Sequence, residues 1–403
     1  MLKTGYFILE GLNSFSTVCY AYYLFFFMEK TFGFGNEANL ALAALYGFIY
    51  TFAAWWGGRF AQRFGYFTAL KVGFVIMIAA LACGARLQSA SGQVLVMGAA
   101  VIGMCFTWPT LEALVSEGET PAGLQRMVGI YNVVWAATGA IAYFSGGAML
   151  DHLGLKSIFY VPVAFQFVQL AFTLWLEAQA RARAGQGRGP QTANQPALLA
   201  QALNPRPIAK AKSFLRMAWL ANPFAYIAIN TLLAVIPGLA RRLQLSTMLA
   251  GFCCSIWCFA RLGTFFTLWL WPAWHYRFRW LVSAYAAMIG AFAGILLAPN
   301  LAVLVVAQIF FGAAVGLIYY SSLFYSMDVG ETKGEHGGLH EAAIGLGTFA
   351  GPGVGAASLH FLPRFPNSGA LAVTGLLVLG LGGLLGVWSL ERTRNRTRMT
   401  IDD

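Results

Sequence analysis

Arg261 stands in Cys258-Phe259-Ala260-Arg261-Leu262-Gly263, midway along an apolar stretch too long for its side chain to reach polar surroundings at either end. A charge inside a bilayer costs ~2.5–3.5 kcal/mol on insertion scales, so an ionisable residue there is a functional candidate by default. Two chemistries are open to it: an anchor for an anion or polar substrate, or a structural arginine satisfied by helix-end carbonyls or a nearby carboxylate. The acidic counterparts are Glu112, in Trp108-Pro109-Thr110-Leu111-Glu112, and Glu10, in the first apolar stretch. A carboxylate that loses its water when a cavity closes holds on to its proton, which is what proton coupling requires. The alternative for Glu112 is pairing with Arg126, Arg59 or Arg63 at a polar rim, where long side chains snorkel at little cost.

Around these charges the polar residues are phenols, indoles and amides. Tyr20, Tyr22, Tyr23, Trp108, Tyr226, Tyr319, Tyr320 and Tyr325, with Asn13, Asn132, Gln166, Asn230 and Gln308, would give aromatic faces and amide hydrogen bonds with little fixed charge. Such a lining suits an uncharged or singly charged organic molecule better than a phosphate ester. For each residue the competing reading is helix packing or a place in an interfacial belt.

The elements that must position these groups are membrane helices. Of the 403 residues 59% are hydrophobic and 10% charged, and the mean hydropathy is +0.65, far from the ~45–50% apolar and ~25% charged of soluble domains. At ~20 residues per crossing, spans fall at roughly 5–28, 38–57, 66–86, 92–115, 124–150 and 155–177, and again at roughly 213–239, 246–270, 279–298, 301–326, 338–361 and 369–389. The expected units are therefore an N-terminal six-helix bundle (1–177), a basic linker (178–212), a C-terminal six-helix bundle (213–390) and a basic tail (391–403). The linker holds Arg181, Arg183, Arg188, Arg206, Lys210, Lys212 and two Gly- or Pro-rich breaks. With the N-terminus inside, nineteen of the 26 Lys and Arg fall inside and six outside, with Arg261 between. The net charge of +11 thus reports orientation, with both termini cytoplasmic, and not nucleic-acid binding.

Several chemistries lack their residues. No Walker lysine follows a glycine-rich loop, Gly380-Leu381-Gly382-Gly383 follows no strand, and no Ser-His-Asp set is suggested. Cys254 and Cys258 lie at i, i+4 but lack two further good ligands, so packing thiols are expected. No enzyme activity, metal or cofactor is expected.

The turn Gly57-Gly58-Arg59-Phe60-Ala61-Gln62-Arg63-Phe64-Gly65-Tyr66 reads as a short loop between spans 2 and 3. Its Gly58, Arg63 and Gly65 resemble the G-x-x-x-D-R-x-G signature of the major facilitator superfamily, with Gln62 at the acidic position. Gly351-Pro352-Gly353-Val354-Gly355 in span 11 is similar to that family's G-P-x-x-G element. Gly139 and Gly146-Gly147 hold the equivalent stretch of span 5, with Tyr143 in place of the proline. Gly118-Glu119-Thr120 after span 4 and Gly330-Glu331-Thr332 after span 10 look like related halves, as do Val94 with Gly98 and Gln308 with Gly312.

The resemblance implies an all-α integral membrane fold of twelve transmembrane helices in two pseudo-symmetric six-helix bundles. It implies alternating access about a central cavity lined by helices 1, 4, 7 and 10, in the cytoplasmic membrane, with a small-molecule solute and protons or another ion as partners of a monomer. Arg261, Tyr20, Tyr23, Trp108, Asn132, Asn230, Gln308, Tyr319 and Tyr320 are the expected substrate-binding residues, and Glu112 and Glu10 the proton-coupling ones. Gly58, Gln62, Arg63, Gly65, Glu341, Gly351, Pro352 and Gly355 are the expected gating set. With Gln62 uncharged, Glu341 at the start of span 11 is expected to meet Arg59 or Arg63 as a reversed latch in the outward-facing state. Two other functions remain open: a membrane sensor or assembly protein that keeps the fold without transporting, and a lipid or amphiphile flippase.

Overall fold

In a bilayer every backbone N–H and C=O has to be satisfied within its own segment, and only helices do that without a closed barrel. The computed structural model, which describes residues 2–119, 121–185, 208–328 and 333–399, is accordingly all-helical. The first half is α1 (Leu2–Phe32), α2 (Asn36–Phe64), α3 (Tyr66–Gly84), α4 (Ala90–Ser116), α5 (Pro121–Leu153) and α6 (Ser157–Gly185). The second is α7 (Ile208–Arg242), α8 (Thr247–Leu270), α9 (Phe278–Leu296), α10 (Leu301–Asp328), α11 (Lys333–Phe361) and α12 (Ser368–Met399). Eleven of these are long and apolar enough to cross a membrane among the described residues. The other is α1, whose Glu10, Asn13, Ser14, Ser16 and Thr17 lower its hydropathy and are all turned into the protein. Thr120, the Gly330-Glu331-Thr332 repeat, and the linker's Arg188 and Arg206 lie outside the described residues.

The turn between α2 and α3 differs from the expected loop. Helix α2 runs on through the two arginines to Phe64, and only Gly65 leaves helical geometry, at φ +92° and ψ 146°, while its N–H bonds back to Ala61 C=O. That φ lies where a side chain is strained, so one glycine reverses the chain. Two helix starts are capped by serine: Ser89 Oγ accepts from Gly92 N–H and Ser246 Oγ from Leu249 N–H, each at 3.1 Å.

Among the described residues helices α3, α6, α9 and α12 make their main packing contacts within their own half, whereas α2 runs along α11 and α5 along α8 to join the halves. These two seams are built on glycine. A Cβ on Gly47 would lie 2.3 Å from Phe349 N, and one on Gly147 would lie 2.2 Å from Thr247 O. Large apolar side chains such as Phe52, Trp56, Leu95, Leu270 and Leu379 face outward, as a lipid-facing surface requires.

Candidate functional site

Between the halves lies a cavity of ≈ 150 Å³ with walls from both. Helices α1, α4, α7 and α10 contribute Tyr22, Trp108, Tyr226 and Tyr319, and α2, α5, α8 and α11 add Tyr46, Tyr50, Tyr131, Trp135, Arg261 and Glu341. The expected set of four lining helices is therefore extended to eight. The two seams explain why: bringing α2 to α11 and α5 to α8 at backbone distance puts side chains of all four against the centre.

Arg261 is 5% exposed and lines this cavity. Its guanidinium carbon lies 4.5 Å from the centre of Trp135 and 4.8 Å from that of Trp257, and Nε has no hydrogen-bond partner. Trp135 is itself fixed: its Nε1 donates to Asn132 Oδ1 at 2.8 Å, and its ring meets Trp108, Phe265 and Tyr319 edge to face.

The backbone of α8 is interrupted just before Arg261. The helix divides into Thr247–Cys254 and Ile256–Leu270 about Ser255. In an unbroken helix Trp257 N–H would bond to Cys253 C=O. Here the side-chain amide of Gln308 stands between them, donating to Cys253 O at 2.9 Å and accepting from Trp257 N–H at 3.4 Å. One turn along α10, Gly312 admits the carbonyl of Trp257, 2.2 Å from where a Cβ would be. Gln308 and Gly312 thus clasp the break from which Trp257 and Arg261 are aimed.

Two carboxylates share the cavity with Arg261. Glu341 Oε2 accepts from Tyr50 OH at 2.5 Å across the α2–α11 seam. Glu112 lies about 6 Å from the end of α4, four residues before Ser116 at 1.5 Å each. Pro109 beneath it cannot donate to Cys105 C=O, and Gly57 of α2 fills that gap, with its Cβ position 2.2 Å from the freed oxygen. Glu10 is fully buried outside the lining, and Tyr131 is the lining residue whose side chain lies at hydrogen-bonding reach of it.

Of the residues expected to bind substrate, Arg261, Trp108, Asn230 and Tyr319 line the cavity, with Asn230 Nδ2 donating to Thr348 Oγ1 at 3.0 Å. Five others are placed elsewhere. Tyr20 packs on Phe159; Tyr23 lies against Gly146 and bonds to Tyr143 C=O; Asn132 holds Trp135; Gln308 clasps α8; Tyr320 packs on Phe265 and Trp274. Helical rotation separates neighbours by ~100°, so in Tyr22-Tyr23 and Tyr319-Tyr320 only one of each pair can face the centre.

Among the gating residues, Gln62 and Arg63 are exposed at the end of α2, with Gly58 one turn earlier and Gly65 at the reversal. Arg59 lies on Trp55 and Arg63 on Phe64, so the expected Glu341–arginine latch is not made in this conformation. Gly351 meets Ile227 C=O on α7, Gly355 meets Leu40 on α2, and Pro352 between them removes the bond to Thr348 C=O. Tyr46, Tyr50, Tyr131 and Trp135 were not singled out from the sequence. The i, i+4 stack of Tyr46 on Tyr50, 6.2 Å between centres, is a signal that could have found two of them.

A model of the Major Facilitator Superfamily matches residues 6–352. The chain belongs to that superfamily. The whole fold agrees: the nucleoside transporter NupG superposes with a TM-score of 0.68 over 96% of this chain and 99% of its own, at 15% identity. The human organic anion transporter MFSD10 (TETRAN) does so with a TM-score of 0.66 over 95% and 98%, also at 15%. At that identity the likeness is one of fold. In sequence, the methylenomycin A resistance protein of Bacillus subtilis (strain 168) is 31% identical over 123 residues, 29% of this chain; the match spans about a quarter (26%) of that protein's length.

Proposed function

We propose that this superfamily member is a secondary active transporter that carries a small organic solute across the cytoplasmic membrane by alternating access, coupled to protons. The observation that carries the reading is a central cavity built by both halves whose wall holds one cation, Arg261, and two carboxylates, Glu112 and Glu341. In this reading Arg261 and the aromatic walls hold the solute and Glu112 exchanges a proton with the cytoplasm. Glu10 stands behind Tyr131 as a second proton site. The bias of lysine and arginine toward the end that carries Arg59 and Arg63 supports a cytoplasmic N- and C-terminus. The nucleoside and organic anion transporters of like fold, and the resistance protein, support small-molecule cargo.

The test is proton movement in vesicles of purified protein on adding candidate solutes, for wild type, Glu112→Gln and Arg261→Ala. Solute-driven proton movement that disappears in Glu112→Gln supports coupling through that residue. Solute flux without proton movement overturns the coupling, and silence across a broad panel of solutes overturns transport in favour of a sensor.

A further inference from the structure

We propose that the central cavity selects a small organic monoanion: one carboxylate, seated on Arg261, on a flat apolar body about the size of a single aromatic ring. The proposal rests on the cavity being the transport site and names what that site takes. Its first ground is the unanswered charge. Removing a guanidinium from water costs several kcal/mol even after relaxation, and two indole faces return ~0.5–2 kcal/mol each. No carboxylate among the described residues forms an ion pair with Arg261, although Glu112 and Glu341 line the same cavity. The two indoles lie against the guanidinium and Tyr22 hydrogen-bonds with it, which leaves Nε without a partner and the rest of the donor edge to a planar acceptor.

The second ground is the sign of the remaining field. Against one Arg261 stand Glu112 and Glu341 in the wall and Glu10 behind it. A second anionic group on the solute would find no second cation in this wall and would face Glu112 and Glu341, whereas a single carboxylate balances the arginine; like-charge juxtaposition of this kind rejects the wrong ligand. The third ground is size and surface. A cavity of ≈ 150 Å³ walled by Tyr22, Tyr46, Trp108, Tyr131, Trp135 and Tyr319 matches the volume of an engineered apolar cavity that holds benzene.

The experiment reads binding in detergent, without flux, from quenching of tryptophan fluorescence and thermal stabilisation. The probes are benzoate, its neutral isostere benzamide, the cation benzylammonium and the dianion phthalate. Benzoate is expected to bind at least about tenfold more tightly than any of the other three, the scale of one charge-assisted hydrogen-bond pair. Arg261→Gln is expected to bring benzoate to the level of benzamide, and Arg261→Lys to retain part of the preference; the wild-type ligand series needs no variant to fold. Benzamide or benzylammonium binding as well as benzoate, no benzoate binding, or benzoate binding unchanged in Arg261→Gln would each overturn the proposal. Failure of transport separates cleanly: arginine-dependent benzoate binding with no flux in vesicles sinks transport and keeps the binding class, and flux of other solutes with no carboxylate binding does the reverse.

Discussion

The two ends of the molecule join the halves in different ways. At the end where α1 stops and α2 begins, the halves meet backbone to backbone and charge to charge. Gly147 lies on Thr247 O and Gly238 on Asn36 Oδ1, both 2.2 Å from a Cβ position, Glu29 pairs across the halves with Arg241 at 2.7 Å, and Lys30, paired within its own half with Asp151 at 3.6 Å, donates across to Thr247 Oγ1. Asp151 also accepts from Met248 N–H at 2.8 Å, and His360 Nδ1 is 3.0 Å from Glu37. At the opposite end, among the described residues, the ion pairs Lys3–Glu119, Lys71–Glu177 and Arg216–Glu391 each run within one half, and Val128 meets Leu323 across the halves in an apolar contact. A polar, glycine-lined junction has one register, because any shift orphans its donors and carboxylates. A greasy one parts without leaving an unsatisfied group. The first end therefore sets how the halves are closed, and the second is the easier one to open.

The sharpest way to break this contrast is at the α2–α11 seam. Gly47→Leu would drive a side chain into the Thr348–Phe349 peptide, 2.3–2.4 Å from a Cβ position, where backbone cannot give way. Overpacking of that kind costs ~1–3 kcal/mol, so labelling of a cysteine placed at Tyr46 by an impermeant maleimide from the Glu29 side should rise about 10- to 100-fold. Labelling as slow as in the parent would mean that the seam does not hold this end shut.

The contrast treats each half as rigid, and the break in α8 is where the second half could yield. Gln308→Leu removes the amide between Cys253 O and Trp257 N. Left buried and unpaired, such groups cost ~1–3 kcal/mol. Arg261-dependent ligand binding should weaken about tenfold, and a tryptophan emission shift should report the moved Trp257. Unchanged binding and emission would make Gln308 a packing residue only.

Gln308 also marks the limit of what the chain discloses before folding. Twelve spans and the six-plus-six order are legible because lipid excludes charge and demands helices of bilayer length. Arg261 and Glu112 are legible for the same reason, and both line the cavity. What a polar residue does inside a helix bundle is not legible in that way. Gln308 and Asn230 look alike in sequence, yet one mends a neighbouring backbone and the other faces the centre. Tyr20 and Tyr22, two residues apart, differ only by a rotation that the facing helix decides. The stretch ending at Gly65 read as a loop because Gly-Gly and two arginines interrupt the apolar run, but a helix that protrudes from the bilayer carries those residues as well.

The smallest expected effect tests whether charge or close packing holds the polar end. Glu29 and Arg241 pair at 2.7 Å, but Arg241 is 68% exposed at its side chain, and such pairs are worth ~0–1 kcal/mol after screening. Glu29→Gln and Arg241→Gln should each raise cysteine labelling from that side by no more than about fivefold, less at high salt, and the double variant should add little beyond either one. An effect as large as that of Gly47→Leu would reverse the order and make the ion pair the primary latch, with the glycines only permitting it. Additive single effects would mean that the two residues act through different partners, Glu29 through its neighbour Lys30 and Arg241 through the end of α7.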